Sequence, residues 1–456
     1  MHMTHHHLKL TLLACAMAWV VACGSDSGNE DAEEDTVEDA VDDATDDVLD
    51  DVEEDVELEP DGPPGILDCT LEDRIFWTWD LAVMPPSDTQ VTASCRGWGE
   101  HVAVYVPDDI WMTSISESDV VTIVETFEDA TPADDARGIY DITTTAFGEP
   151  PDVDADARIV LLYMEMGSFM GTEFDGFFRA QDETAGTYSN LTEMVHLNGV
   201  RLPTAQPYML SIVAHEFQHM LHYRADPDEH SWINESMSEA AMVLCGYYTD
   251  EGNVAAFAAT PDSSLVVTDY VDYGAVFLFG AYLLDQLGEA FLLDLTSENG
   301  NGITGFDSAA TAYSVDFLTV FSDWTIANFL DDPTLDEGQW GYSDYDPPDM
   351  ADTTSAPDGT LRAGTLNGWA ADYLHYPLSG TGTDITVHIE STDWASLGAT
   401  LITRSTSGGT PTLTPIAITA SPTEETITVP DGDDEAIVVL TALAEGSFDY
   451  QHSALW

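Results

Sequence analysis

The chain predicts an α+β fold in which a mixed sheet backs a buried helix, a helical subdomain follows, and an all-β sandwich closes the C-terminus. Three patterns carry this prediction. Short apolar runs bounded by turn residues fill the stretch from Arg74 to Asn198, with one amphipathic helix among them. Long helical apolar periods take over from Met209 to about Leu330. Past a linker rich in Pro and Asp, the period drops to two and Gly, Pro and Asp turns recur. The divisions that follow are residues 1–22, 23–64, 65–345 and 356–456.

Residues 1–22 hold Lys9 and then an apolar run from Leu10 to Ala22. The run is too short to span a bilayer and reads as a signal peptide, which would carry His5, His6 and His7 away with it. It ends Val20-Val21-Ala22-Cys23-Gly24, which resembles a bacterial lipobox. That resemblance implies cleavage before Cys23 and lipidation of its sulfur. Gly24 rather than Asp follows, so the expectation is an outer-membrane lipoprotein facing the periplasm or the exterior. A secreted protein with an incidental Cys23 is the alternative.

Residues 25–64 are nearly all Asp, Glu, Ala, Val and Gly. Charges this dense repel one another and little there can be buried, so the segment reads as a disordered tether rather than a cation site. The acidity extends further. Net charge is −75, and Lys9 is one of only ten Lys and Arg, leaving nine, all Arg, beyond the leader. Nucleic acid is excluded as a partner on electrostatic grounds, and so is anionic lipid, which leaves the lipid anchor as the membrane contact. A saline habitat would screen the self-repulsion. Of five cysteines, Cys15 leaves with the leader and Cys23 takes the lipid. In an exported protein Cys69 and Cys95 are expected to form a disulfide, and Cys245, on the apolar side of a helix, a buried thiol.

Strands are expected at Arg74–Trp79, His101–Val106, Arg158–Met164 and Glu193–Asn198, and a helix from Ser116 to Ala130. His196 reads as a strand-face residue. The carboxylates of Asp152, Asp154 and Asp156 alternate and could hold Ca²⁺, but they lack the spacing of a full EF-hand loop and read as a surface turn.

The chemistry concentrates in residues 211–239. Met209, Leu210, Ile212, Val213, Phe217, Met220 and Leu221 form a helical apolar pattern, interrupted by His215, Glu216 and His219. Four residues apart on a helix, the two histidines stack on one face and can share a Zn²⁺. Glu216, between them, is placed to take a proton from a water that the metal activates. A third ligand is needed. His222 would rise about 10 Å above His215 along a straight helix, too far to share the ion. His230 lies in a polar loop and reads as solvated. After the break at Asp226-Pro227-Asp228, the residues Trp232, Ile233, Met237, Ala240, Ala241 and Leu244 define a second helix on which Glu235 and Glu239 share a face. Glu235 is the preferred ligand.

His-Glu-x-x-His followed by Asn-Glu-x-x-Ser-Glu resembles the gluzincin metallopeptidases, and more narrowly the hyicolysin-type neutral zinc metalloproteinases, in which a short loop leads to Trp-x-Asn-Glu. The resemblance implies a gluzincin-like peptidase domain with His215, His219 and Glu235 as zinc ligands and Glu216 as general base. It implies that Glu239 hydrogen-bonds a ligand imidazole, and that the strand at Glu193–Asn198 is an antiparallel edge able to hold an extended peptide. It also makes Tyr273, before a buried helix closed by Gly288, the candidate donor to a tetrahedral oxyanion, with Tyr270 second. The loop after the second histidine is shorter than in thermolysin, so nothing in that loop is carried over. Residues 211–239 carry the strongest match and a looser one runs to about residue 290.

The expected activity is a zinc metalloendopeptidase hydrolysing internal bonds of a peptide or protein substrate, with neutral or basic peptides favoured by the acidic field. An aminopeptidase is the near alternative, but the Gly-x-Met-Glu-Asn segment that grips a substrate amine in those enzymes is missing, and Met164-Glu165-Met166-Gly167 is a faint echo of it. A catalytically inert surface-binding lipoprotein that works through its β domain is the alternative from another class. Within residues 356–456, Ile385, Val387 and Ile389 alternate with Thr386, His388 and Glu390, and Ile437–Leu440 forms a later apolar run. The role expected of this domain is substrate docking or packing over the rest.

Overall fold

The computed structural model describes residues 69–456 except 84, 169–172, 249, 268–270 and 380–381, together with the strand Val21–Cys23. The rest of the expected signal peptide and the acidic tether fall outside the described residues.

The first layer is a seven-stranded mixed sheet built from β1 (Val21–Cys23), β2 (Arg74–Asp80), β3 (Ser87–Trp98), β4 (Val102–Val106), β5 (Ile159–Met164), β6 (Gly176–Phe178) and β7 (Met194–Asn198). Its order is β1-β6-β7-β5-β4-β3-β2. The central strands β4, β5 and β7 run parallel and are buried at every position, as strands covered on both faces must be. This corrects one expectation. β7 is an interior strand, and the antiparallel strand outside it is the short β6, itself paired with β1. Cys69 and Cys95 form a disulfide that ties the start of the described domain to β3.

The helices α1 (Glu117–Glu128), α2 (Ile139–Phe147) and α3 (Pro207–Ala225) share one continuous apolar core with this sheet. A capping box of Ser116 and Asp119 starts α1. Pro207 opens α3, and Asp226, held extended before Pro227, ends it. There follow α4 (Ser231–Leu244), α5 (Glu251–Ala259), α6 (Tyr273–Leu287), α7 (Glu289–Thr296), α8 (Gly302–Ala310) and α9 (Phe317–Leu330). Gly280 lets α6 lie against α4, since a Cβ there would stand 2.3 Å from the Ser236 carbonyl oxygen. Among the described residues no single helix is long and apolar enough to cross a membrane.

The C-terminal region is β-rich, with strands β8 (Thr353–Thr354), β9 (Arg362–Asn367), β10 (Ala371–Pro377), β11 (Asp384–Glu390), β12 (Leu397–Arg404), β13 (Thr412–Ile416), β14 (Thr423–Thr428), β15 (Glu435–Ala442) and β16 (Ser447–Leu455). They form a five-stranded sheet, β13-β12-β15-β10-β8, and a four-stranded sheet, β14-β11-β16-β9. Leu366, Leu374, Ile385, Val387, Leu401 and Val438 belong to the core that the two sheets share. The five-stranded sheet turns its other side to the helices: Tyr373, Ile402, Ile437 and Val439 join the large core, and the Tyr373 hydroxyl donates to the Thr325 carbonyl at 2.8 Å. The β region therefore packs over α9.

Candidate metal centre

α3 and α4 lie side by side and are joined by a short loop, so residues from one face of each meet in the protein interior. His215 and His219 come from α3, and Glu235 comes from the second turn of α4; all three are buried. His215 Nε2 and His219 Nε2 stand 3.0 Å apart, and Glu235 Oε2 lies 3.3 Å from the first and 3.7 Å from the second. Ligand atoms about 2.0–2.1 Å from a tetrahedral ion are roughly 3.3–3.4 Å from one another, so the three separations bracket the spacing that such an ion requires. Among the described residues this is the one group of three His, Cys, Asp or Glu side chains gathered tightly enough to hold a metal ion.

The protonation states fit the same use. Burial lowers the affinity of both imidazoles for a proton, to about 3 for each, so at neutral pH each offers a lone pair. On His219 the pair must sit on Nε2, because Nδ1 carries the hydrogen and donates to Asn234 Oδ1 at 2.5 Å. Ser238 Oγ lies 2.9 Å from the same nitrogen and donates its own proton to Gln218 Oε1 at 2.5 Å. Glu239 Oε1 stands 3.5 Å from His215 Nδ1. The sequence singled out Glu239 by its resemblance but missed Asn234, Ser238 and Gln218.

Charge is what the cluster lacks. Glu235 Oε2 and Glu239 Oε2 are buried without a hydrogen-bond partner, and the buried Glu216 carboxyl has only the Phe178 backbone N–H near it. Burial, reinforced by the neighbouring Glu235, pushes the Glu216 carboxyl well above its ordinary range, with the Phe178 backbone amide acting the other way. Burial raises Glu235 as well, against the pull of His219, and it raises Glu239 strongly, with Asp250 adding to it. Without a cation, burial holds these carboxyls protonated; a divalent ion among them would let Glu235 bind in its ionised form. The residues present fit a metal ion.

Glu216 points towards β6. A Cβ at Gly176 would meet Ile212 Cγ2 at 2.8 Å and Glu216 Cγ at 3.0 Å, so glycine lets the strand lie directly over this turn of α3. β6 in turn pairs antiparallel with Val21–Cys23, in the register Val21 to Phe178, Ala22 to Phe177 and Cys23 to Gly176. Next to Gly176, the buried Asp175 accepts from the Tyr208 hydroxyl at 2.8 Å and pairs with Arg201.

The other residues that the sequence singled out lie as follows. Tyr273 is the first residue of α6, preceded by the capping Asp272 and half-buried against the core, and Tyr270 lies outside the described residues. His222 is buried on α3 with Nδ1 3.5 Å from Gln218 Nε2. His230 caps α4 beside Gly302. His196 is fully buried between Asp182 at 2.9 Å and Thr78 at 3.1 Å. Cys245 is a buried free thiol, pushed by burial to about 12. The backbone of Cys23 belongs to β1.

No protein-family model matches the chain, and no curated protein matches it. Among solved structures it is similar to the pre-peptidase C-terminal domain of a collagenase from Bacillus anthracis, at 12% identity and a TM-score of 0.19, over 24% of this chain and 99% of that one. It is also similar to a capsular polysaccharide assembling protein from Staphylococcus aureus, at 11% identity and a TM-score of 0.15, over 37% of this chain and 43% of that one. A family GH115 4-O-methyl-alpha-glucuronidase matches at 9% identity and a TM-score of 0.15, over 67% of this chain and 53% of that one. Likenesses this faint carry no weight for fold or activity.

Proposed function

We propose that the chain is a zinc-dependent endopeptidase of the gluzincin type, exported and held to the outer membrane through a lipid on Cys23. The observation that carries the peptidase reading is the convergence of His215 Nε2, His219 Nε2 and Glu235 Oε2 to within 3.0–3.7 Å in a buried setting, with Glu216 beside them. Two imidazoles and one carboxylate, with a corner left for solvent, are a donor set suited to catalytic zinc. When bound there, zinc supplies Lewis acidity, lowering the pKa of water towards neutrality and polarising a carbonyl.

The chain's own groups do the rest. Glu216 takes the proton of the attacking water and passes it to the leaving nitrogen as the peptide bond breaks. β6 accepts an antiparallel strand along its outer edge, as its pairing with Val21–Cys23 illustrates, so a substrate backbone can align there by main-chain hydrogen bonds. Tyr273, at the start of α6, is proposed as the donor to the oxyanion on the resemblance alone.

The test is cleavage of a fluorogenic peptide with both ends blocked. The wild-type protein should cut an internal bond, lose the activity to a chelator and regain it with zinc, and Glu216→Gln should be inactive although still loaded. Release of residues only from a free N-terminus would turn the reading to an aminopeptidase. A chain that binds no metal and cuts nothing would leave a binding role.

A further inference from the structure

β6 and the residue before it lie along one stripe of α3. Tyr208, Ile212 and Glu216 are spaced four apart, so they share a face of that helix. The Tyr208 hydroxyl donates to Asp175 Oδ2 at 2.8 Å, Gly176 lies against Ile212 and Glu216, and the Phe178 backbone N–H lies near the Glu216 carboxyl. The strand therefore follows the helix from its first turn to the proposed base, and Asp175 is attached at the start of that run.

Asp175 is fully buried, and its carboxylate joins three elements. Tyr208 reaches Oδ2 from α3, and Arg201 pairs with Oδ1 from the turn that follows β7. That turn is itself organised by Asn198. Its Oδ1 accepts the backbone N–H groups of Val200 and Arg201 at 3.1 and 3.2 Å, and its Nδ2 donates to the Phe174 carbonyl at 2.7 Å. Glu173 Oε2 takes the Arg201 Nε at 2.9 Å. A buried carboxylate persists when both its oxygens are answered, as they are here. β6 is only three residues long, so its own ladder with β7 gives it little hold, and its placement on α3 depends on this anchor.

We propose that Asp175 is a positioning residue for peptide cleavage: held by Tyr208 and Arg201, it sets where β6 lies on α3. The proposal rests on the peptidase reading of the metal centre. By that reading the substrate strand rides on β6, whereas Glu216 and the metal ligands ride on α3 and α4. The Asp175 anchor thus sets the distance between the bond to be cut and the group that activates water. Its carboxylate is already taken up by Tyr208 and Arg201, so it acts through the strand and not on the substrate. Loosening the anchor leaves the β6 edge able to pair with a peptide but misplaces that peptide against the base, which is a loss of kcat more than of binding.

The test compares the full-length wild type with Asp175→Ala and with Tyr208→Phe, which removes one hydroxyl, keeps the ring, and serves if the first variant fails to fold. Three readouts are taken on zinc-loaded protein: zinc per chain, backbone hydrogen exchange, and kcat and KM for a peptide blocked at both ends. In each folded variant, exchange should quicken over residues 174–178 while residues 211–223 stay protected and zinc per chain stays at the wild-type value. kcat should fall by about 10–100-fold with KM within about twofold of wild type. A merely structural role would lower Tm and leave kcat of the folded protein unchanged. Variants with wild-type kcat, variants in which KM rises in place of the kcat loss, or variants that lose zinc in proportion to kcat overturn the positioning role alone. A wild-type chain that cuts nothing overturns the peptidase reading, and the positioning role with it.

Discussion

Among single residues, the groups that would hold a metal ion are distinct from the groups that aim them. Asn234 and Ser238 both engage His219 Nδ1 and thereby commit Nε2 to the cluster. Removing either contact frees the ring to rotate, so Asn234→Ala and Ser238→Ala should each weaken zinc affinity by about 10–100-fold, as read by competition with a chromophoric chelator. Activity at saturating zinc should fall much less. Glu216→Gln inverts that pattern, with zinc affinity near wild type and turnover down by at least about 10²–10⁴-fold, as measured by single-turnover peptide cleavage. His215 and His219 were legible in the sequence because helical spacing alone sets their relation. Asn234 and Ser238 were not, because which α4 side chains reach an α3 ring depends on how the two helices cross, and no local pattern encodes that.

At the scale of elements, the decisive piece is β6. Gly176-Phe177-Phe178 is too short to display an alternation, so nothing in the sequence marked it as a strand, and β7 took its place as the expected edge. The fully buried pattern of β7 belongs to an interior strand instead. The long helices were readable for the opposite reason, since α3, α4, α6 and α9 each repeat their apolar spacing over several turns and end at Pro, Gly or Asp signals. Gly176 couples β6 to Glu216, the proposed base. A methyl group there must displace Ile212 or Glu216, both of which sit within 3.0 Å of its position. Gly176→Ala should therefore cut kcat/KM by up to about 10²-fold while leaving zinc stoichiometry unchanged, and equal losses of activity and metal would refute this coupling.

At the scale of the whole molecule, acidity and burial together set stability. Burial raises Glu183 to about 8, Glu229 to about 7 and Asp372 to about 6, each above its unfolded value. The native state holds these protons more tightly than the unfolded chain does, so the stability they contribute is complete below the unfolded pKa values and is lost as pH rises through about 6–8. Buried His222 and His452, each lowered to about 4, act in the other direction and cost stability as pH falls below their unfolded range. Tm should therefore climb as the pH is lowered from about 8 to about 6 and fall again in more acidic buffer. With a net charge of −75, added NaCl should raise it at every pH. The β region adds the apolar contacts of Tyr373, Ile402, Ile437 and Val439 to the helical core, so a chain ending at residue 355 should aggregate or melt earlier than the full protein. The most direct test of the central claim is elemental analysis of purified protein after dialysis in high salt, which strips ions held loosely by the acidic surface. One zinc per chain in wild type, lost in His215→Ala and in Glu235→Ala, is the result this account requires; a wild-type chain without zinc, or a stoichiometry indifferent to those two substitutions, contradicts it.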